Sequence, residues 1–186
     1  MNLTIQELLD KLQTRIETLE NKILEMQDIH EDLLSQIDEL TQKKRNHNLI
    51  IHGIPESPDE SLDLKLQDLF TRRLGVQCDI VKCFRLDRKE PCERSAQTRP
   101  VFVKFKNDRD QKCVYYVKNK LKGSNIKIME DLTVRRLELL KMAKKTFRWN
   151  NVWTRNGDIY VYFHDTFVIK SEKDIERIKK TEPIDE

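Results

Sequence analysis

The chain has 186 residues, room for one medium domain or two small ones and too little for a large enzyme. Charged residues make up 36% and the mean hydropathy is −0.70, so much of the chain faces solvent, and the 38% apolar share is below that of one compact globule. The net charge of +3 hides a division: residues 1–44 carry five Lys/Arg against ten Asp/Glu, net −5, which leaves +8 for the remainder.

The first element is a heptad run. From residue 5 to 40 apolar residues keep a 3–4 spacing, with Leu9, Ile16, Ile23, His30 and Ile37 at a, and Ile5, Leu12, Leu19, Met26, Leu33 and Leu40 at d. Five heptads without Gly or Pro predict a parallel coiled coil over residues 1–45. β-Branched residues at a with Leu at d favour a dimer. Leu8 and Ile29 at g and Leu34 at e widen the seam as a third helix requires. "RIETLE" places Arg15 at g and Glu20 at e around Ile16 and Leu19, a pattern similar to a trimerisation motif of short coiled coils. The expectation is self-association as a trimer, with the dimer as runner-up and His30 as a polar register-setter.

"KKRNHN" ends the heptads, and a domain over residues 46–130 follows. "NLIIHGIP" reads as a buried strand. Leu62, Leu66, Leu69 and Phe70 recur at helical spacing up to Gly75. "DIVKCFRL" alternates as a second strand, and "RPVFVKF" is a third after a basic loop. Asn107 caps a helix with Cys113, Val114, Val117 and Leu121 inward, and "NIKIME" is a fourth strand. This order is the split β-α-β arrangement of ferredoxin-like folds, so the class expected is α+β with an RRM-like domain after the coil. Such a sheet keeps one face open, and in RNA-recognition domains its central strands stack bases on aromatics. Alternation places His52, Phe102 and Lys104 together on that face. The RNP1 pattern is absent, so this is a degenerate reader, or Phe102 is simply a packing residue.

A small α+β domain is expected over residues 131–183. Thr133 caps a helix with six basic residues against one Glu between Arg135 and Arg148, including Lys141 and Lys144. "VWTRNGDIYVYF" is a hairpin turning at Asn156-Gly157. A further strand follows, then a helix capped at Ser171. Trp153 and Arg155 share one hairpin face, which suits base stacking and equally suits a core Trp beside an exposed Arg.

The order of coil, "NLIIHGIPES", "RPVFVKF", and "EDL" with a helix and an NG hairpin resembles the first-reading-frame protein of LINE-type (non-LTR) retrotransposons. It is similar also to the insect and baculovirus few-polyhedra (FP) protein family, whose C-terminal signature runs much like "VWTRNGDIYV…FVIKSEKDIERI". The resemblance covers nearly the whole chain. It implies a trimeric coiled coil, an RNA-recognition-like domain and a C-terminal domain; in the retrotransposon branch these bind RNA and single-stranded DNA with nucleic-acid chaperone activity. It further implies backbone contacts from Lys44 and Arg45, and a basic loop of Arg85, Arg88, Arg94 and Arg99. Where the retrotransposon proteins carry an arginine pair after "DLT", this chain has Leu140 and Lys141, which lack the bidentate fork.

The function expected is an oligomeric binder of single-stranded RNA or DNA with weak sequence preference, through Lys44, Arg45, His52, Arg85, Arg88, Arg94, Arg99, Phe102, Lys104, Lys141, Lys144, Trp153 and Arg155. From Arg99 to Lys127 there are nine basic and two acidic residues, enough for a positive cleft. The alternative is a coiled-coil adaptor whose small domains bind protein. Enzyme chemistry is not expected. The four histidines are scattered, and the chain has no phosphate-cradling Gly-rich loop, no Gly-x-Ser-x-Gly and no metal-ligand spacing. The four cysteines show no C-x-x-C pair, so no metal or cofactor is expected. No apolar run approaches the roughly 18 residues of a membrane span, and "MNLTIQELLD" lacks the features of an export signal. Reduced thiols and a cytoplasmic or nuclear location follow.

Overall fold

The computed structural model describes residues 4–86 and 98–180, and it divides the chain into two units, one ending at Thr41 and one beginning at Gln42. The protein is α+β: a long N-terminal helix followed by antiparallel sheets.

Helix α1 (Ile5–Arg45) has 41 residues, about 60 Å at 1.5 Å per residue. It opens with a capping box: the Thr4 N–H donates to Glu7 Oε2 at 2.8 Å and the Glu7 N–H to Thr4 Oγ1 at 3.4 Å. Lys43, Lys44 and Arg45 occupy its last turn, where positive charge suits the helix dipole. The apolar heptad residues form one continuous stripe and are half exposed or more, from Leu9 at 52% to Ile5 at 79%. Among the described residues, no helix is long and apolar enough to cross a membrane.

The second unit holds two sheets, each with its own core. The first contains β1 (Asn48–His52), β2 (Ile80–Arg85), β3 (Val101–Phe105) and β4 (Lys127–Glu130), in the order β2-β3-β1-β4 with every pairing antiparallel. Period-2 alternation sends Leu49, Ile51, Val101, Val103, Phe105 and Ile128 to one face, all 5% exposed or less. They pack against Leu66 of α2 (Leu62–Asp68), Leu69, Phe70 and Leu74 of the π-helical turn that continues it, and Val114 and Tyr115 of α3 (Asp108–Tyr116). Asn107 caps α3 by accepting from the Asp110 N–H at 2.9 Å. The inward residues of α3 are Gln111, Val114 and Tyr115. Cys113 is exposed, contrary to expectation, because the i, i+3, i+4 face starts at Gln111. Gly53, at φ 84°, lies where a Cβ would meet the Asn125 carbonyl oxygen at 2.1 Å, so the crossing from β1 past residue 125 requires glycine.

The second sheet has β5 (Val152–Arg155), β6 (Asp158–Phe163) and β7 (Asp165–Ile169) in that order. Val152, Ile159, Val161 and Ile169 pack against Leu139, Leu140 and Ala143 of α4 (Val134–Thr146) and Ile175 and Ile178 of α5 (Glu172–Lys180). Thr133 caps α4 through the Arg136 N–H at 3.3 Å, and Ser171 caps α5 through the Asp174 N–H at 3.3 Å. The hairpin turns on Asn156 and Gly157, both with positive φ.

Polar contacts tie the two cores together. Gln42, 2% exposed, accepts from the Thr133 N–H at 2.9 Å and donates to the Asp131 carbonyl at 3.1 Å. The Tyr115 hydroxyl meets the Thr154 hydroxyl at 2.9 Å, and the Gly157 N–H donates to Glu130 Oε1 at 3.2 Å. Burial raises the Glu130 carboxyl above its ordinary value, opposed by the hydrogen bonds it accepts.

Candidate nucleic-acid interface

The sheet face opposite the helices carries the candidate site. Register aligns one residue from each strand in a row: Met129 faces Ile50, Ile50 faces Phe102, and Phe102 faces Phe84. The Phe84 and Phe102 rings lie 4.8 Å apart at 31°, and Phe84 is 37% exposed. Lys82 Nζ stands 5.0 Å from the Phe84 ring centroid, and Lys82 pairs in register with exposed Lys104. His52 sits half-buried opposite Lys127; burial and the Lys127 charge hold its imidazole below its ordinary value, which favours the neutral form. This face opens into a groove of about 800 Å³, closed on its far side by Leu132, Val134 and Leu137 at the start of α4. Asp131 also lines it, but its carboxylate is occupied: Arg45 Nη1 donates to Oδ1 at 3.0 Å and Asn48 Nδ2 to Oδ2 at 2.9 Å.

The expected binding residues divide into groups. His52, Phe102 and Lys104 do share the open face, and Arg45 lines its groove. Lys44 is exposed in the last turn of α1. Lys141 and Lys144 line a second groove along α4, of about 440 Å³, which shares Met129 and Leu137 with the first. Trp153 and Arg155 line neither groove. Trp153 stacks on Tyr160 at 5.9 Å and 11°, and Arg155 Nε donates to the Tyr116 hydroxyl at 3.2 Å.

Arg85 departs furthest from the expectation of a phosphate contact. Its side chain is 6% exposed. A guanidinium has five N–H donors, and here they go to Glu60 Oε1 and Oε2, to the Ile54 and Pro55 carbonyls and to the Arg99 carbonyl, all between 2.8 and 3.0 Å. It clamps the chain after β1 to the start of β3. Arg99 keeps 42% of its side chain exposed while Nε donates to Glu56 Oε2 at 3.1 Å. Arg88 and Arg94 lie outside the described residues.

Phe84, Met129 and Trp149 were missed from sequence. For Phe84 the reason is a bulge. Ile80 pairs with Phe105 but Lys82 pairs with Lys104, so Val81 is an extra residue. Simple alternation from Ile80 sends Phe84 into the core, whereas the bulge turns it onto the open face. Trp149 carried a weak signal as a second aromatic two residues after Phe147, which the core already takes at 6% exposure.

Among the described residues, no cluster of three or more His, Cys, Asp or Glu side chains is placed to hold a metal. The Cys78 and Cys83 thiols are pushed up to about 11 and about 12, burial being the main cause, which keeps both protonated. Compared with protein-family models and with curated proteins, the chain matches none.

Proposed function

We propose that the protein is an oligomeric single-strand nucleic-acid-binding protein, with a strand lying across the open face of the four-stranded sheet. The observation that carries this reading is the partly exposed Phe84–Phe102 pair in the groove, with Lys82, Lys104 and Lys127 on the same sheet face by register. An exposed aromatic pair rimmed by polar residues is the kind of patch that marks a binding site, and its ring faces suit stacking. The strand order and antiparallel pairing fit a ferredoxin-like, RRM-like domain, in which two or three bases stack on this face. Lys82, Lys104 and Lys127 supply sequence-blind phosphate contacts. The order of elements likewise supports kinship with the FP and LINE first-reading-frame families.

Self-association belongs to the same reading. The exposed a and d residues of α1 form a coiled-coil seam in which Leu12, Ile16, Leu19, Ile23, Leu33, Ile37 and Leu40 are each more than 50% exposed in a single chain. Full burial of such a side chain contributes roughly 1.5–3 kcal/mol, and about half of that is left to gain from residues already half buried in one chain. A trimer is favoured by the apolar residues beside the seam, with the dimer second. Several weak grooves joined in one assembly raise effective concentration while each contact still exchanges, which suits a chaperone. One observation favours an adaptor instead: a groove of about 850 Å³ beside α2, with Leu64 66% exposed and no aromatic in its lining.

The test is fluorescence anisotropy with labelled 12-mers of single-stranded RNA and DNA and a matching duplex, from 50 to 300 mM salt. Sub-micromolar single-strand binding that falls steeply with salt, and weakens in Lys104→Ala and Phe102→Ala, supports the reading. No single-strand binding at the lowest salt sinks it and leaves the adaptor.

A further inference from the structure

The seam of α1 holds a single polar side chain. Among the a and d positions from Ile5 to Leu40, every residue is apolar except His30. In one chain His30 is exposed, and among the described residues its ring has no hydrogen-bond or ion-pair partner. The d residues on either side of it are Met26 and Leu33, 68% and 52% exposed. The flanks of this layer are apolar as well. In a parallel coil a g residue meets the e residue of the next heptad in the neighbouring helix. Here that pair is Ile29 with Leu34, 55% and 45% exposed in one chain. The remaining g–e pairs each include a polar residue, as Arg15–Glu20 and Lys22–Gln27 do. Assembly through the seam therefore closes apolar surface over His30 from above, below and both flanks. A polar ring taken from water in this way needs a partner.

We propose that the His30 side chains of three copies of this chain form a binding site for one divalent first-row transition-metal ion. The inference rests on the self-association reading above. One chain supplies a single ring, so the site is incomplete without two further copies. Rotational symmetry makes the three rings identical. Their inner nitrogens therefore meet as three lone pairs or as three N–H donors, and neither set satisfies itself. Gln27, one turn before His30 on the same side of the helix, is placed to offer an amide oxygen to the outer Nδ1–H. That bond selects the tautomer whose Nε2 lone pair faces inward. Three converging lone pairs in a dry layer take a cation. Imidazole nitrogen suits zinc, copper and nickel, whereas magnesium and calcium take oxygen. The dimensions agree. Helices packed roughly 10 Å apart stand about 6 Å from the three-fold axis, and their inward Cα atoms about 4 Å from it. A tilted imidazole spans the rest and sets Nε2 at the ~2 Å of a Zn–N bond, with one coordination position left for water. A dimer brings only two rings to the layer, so the metal favours the trimer.

The test uses the full chain, stripped of metal with a chelator and kept reduced. Co²⁺ is the probe, because its visible absorption reports a tetrahedral nitrogen site, and Zn²⁺ is the competitor. Sedimentation equilibrium gives the oligomer with and without metal. The wild type is expected to take up one Co²⁺ per three chains, with an absorption that Zn²⁺ removes. Its helix unfolds at higher temperature as metal is added. His30→Ile places a β-branched residue that suits an a position. It stays a trimer and loses both the absorption and the metal-dependent shift in unfolding temperature. A wild-type trimer that takes up no Co²⁺, or equal uptake by His30→Ile, overturns the site and leaves the seam standing, with His30 setting register alone. A dimer that remains a dimer in Co²⁺ also overturns the site. A chain that is monomeric with and without metal removes the seam and the site together.

Discussion

Replacing Arg85 by alanine separates a structural arginine from a phosphate contact. The substitution strands Glu60 and removes the donors to three backbone carbonyls. Taking one partner from a buried ion pair costs about 3–5 kcal/mol. Lys65 Nζ stays 2.8 Å from Glu60 Oε2, so the low end applies, ~3 kcal/mol. At about 2–4 °C per kcal/mol for a chain of this size, Tm falls by about 6–12 °C. The assay is thermal unfolding followed by circular dichroism. The same pair sets an acid dependence. Arg85, and then Lys65, hold the Glu60 carboxyl at about 2 against an ordinary value of 4.5, so the stabilisation is complete above pH 4.5 and is lost as pH falls toward 2. That loss shrinks in Arg85→Ala. Binding by the folded variant at reduced temperature keeps its salt slope. A Tm within 2 °C of wild type, together with a slope reduced by about 1, refutes the clamp and makes Arg85 a phosphate contact.

Phe84→Ala and Phe102→Ala each weaken oligonucleotide binding about tenfold by anisotropy, and the double variant weakens it by less than the product because the rings touch at 4.8 Å. Gly53→Ala places a Cβ 2.1 Å from the Asn125 carbonyl oxygen at positive φ and lowers stability by about 3 kcal/mol or more, read by urea unfolding. Ile16→Lys with Leu19→Lys converts the expected trimer to monomer in sedimentation equilibrium and raises the Kd for a long single strand more than for a 12-mer; a wild-type monomer contradicts the seam.

How much of this was legible depended on the range of the interaction. The long N-terminal helix, the Asn107, Thr133 and Ser171 caps and the Asn156-Gly157 turn are local chemistry, and each stands where the residues indicated. Leu49, Ile51, Val101 and Val103 were legible because a half-buried sheet imposes period 2. The candidate site was read only partly. His52, Phe102 and Lys104 followed from alternation, but the Val81 bulge reversed the parity before Phe84 and hid the ring that completes the pair. Arg85 reads as one more loop cation because its partners lie 14 to 31 residues away in sequence. Trp149 needed the packing of Phe147 to show which aromatic the core leaves out.

The most direct test of a strand on the open sheet face is ultraviolet cross-linking of the full chain to an oligouridylate 12-mer, with adducts mapped by peptide mass spectrometry. The structure predicts adducts in the peptides containing Phe84 and Phe102. Adducts confined to the Trp153–Tyr160 face, with none on β2 or β3, contradict it.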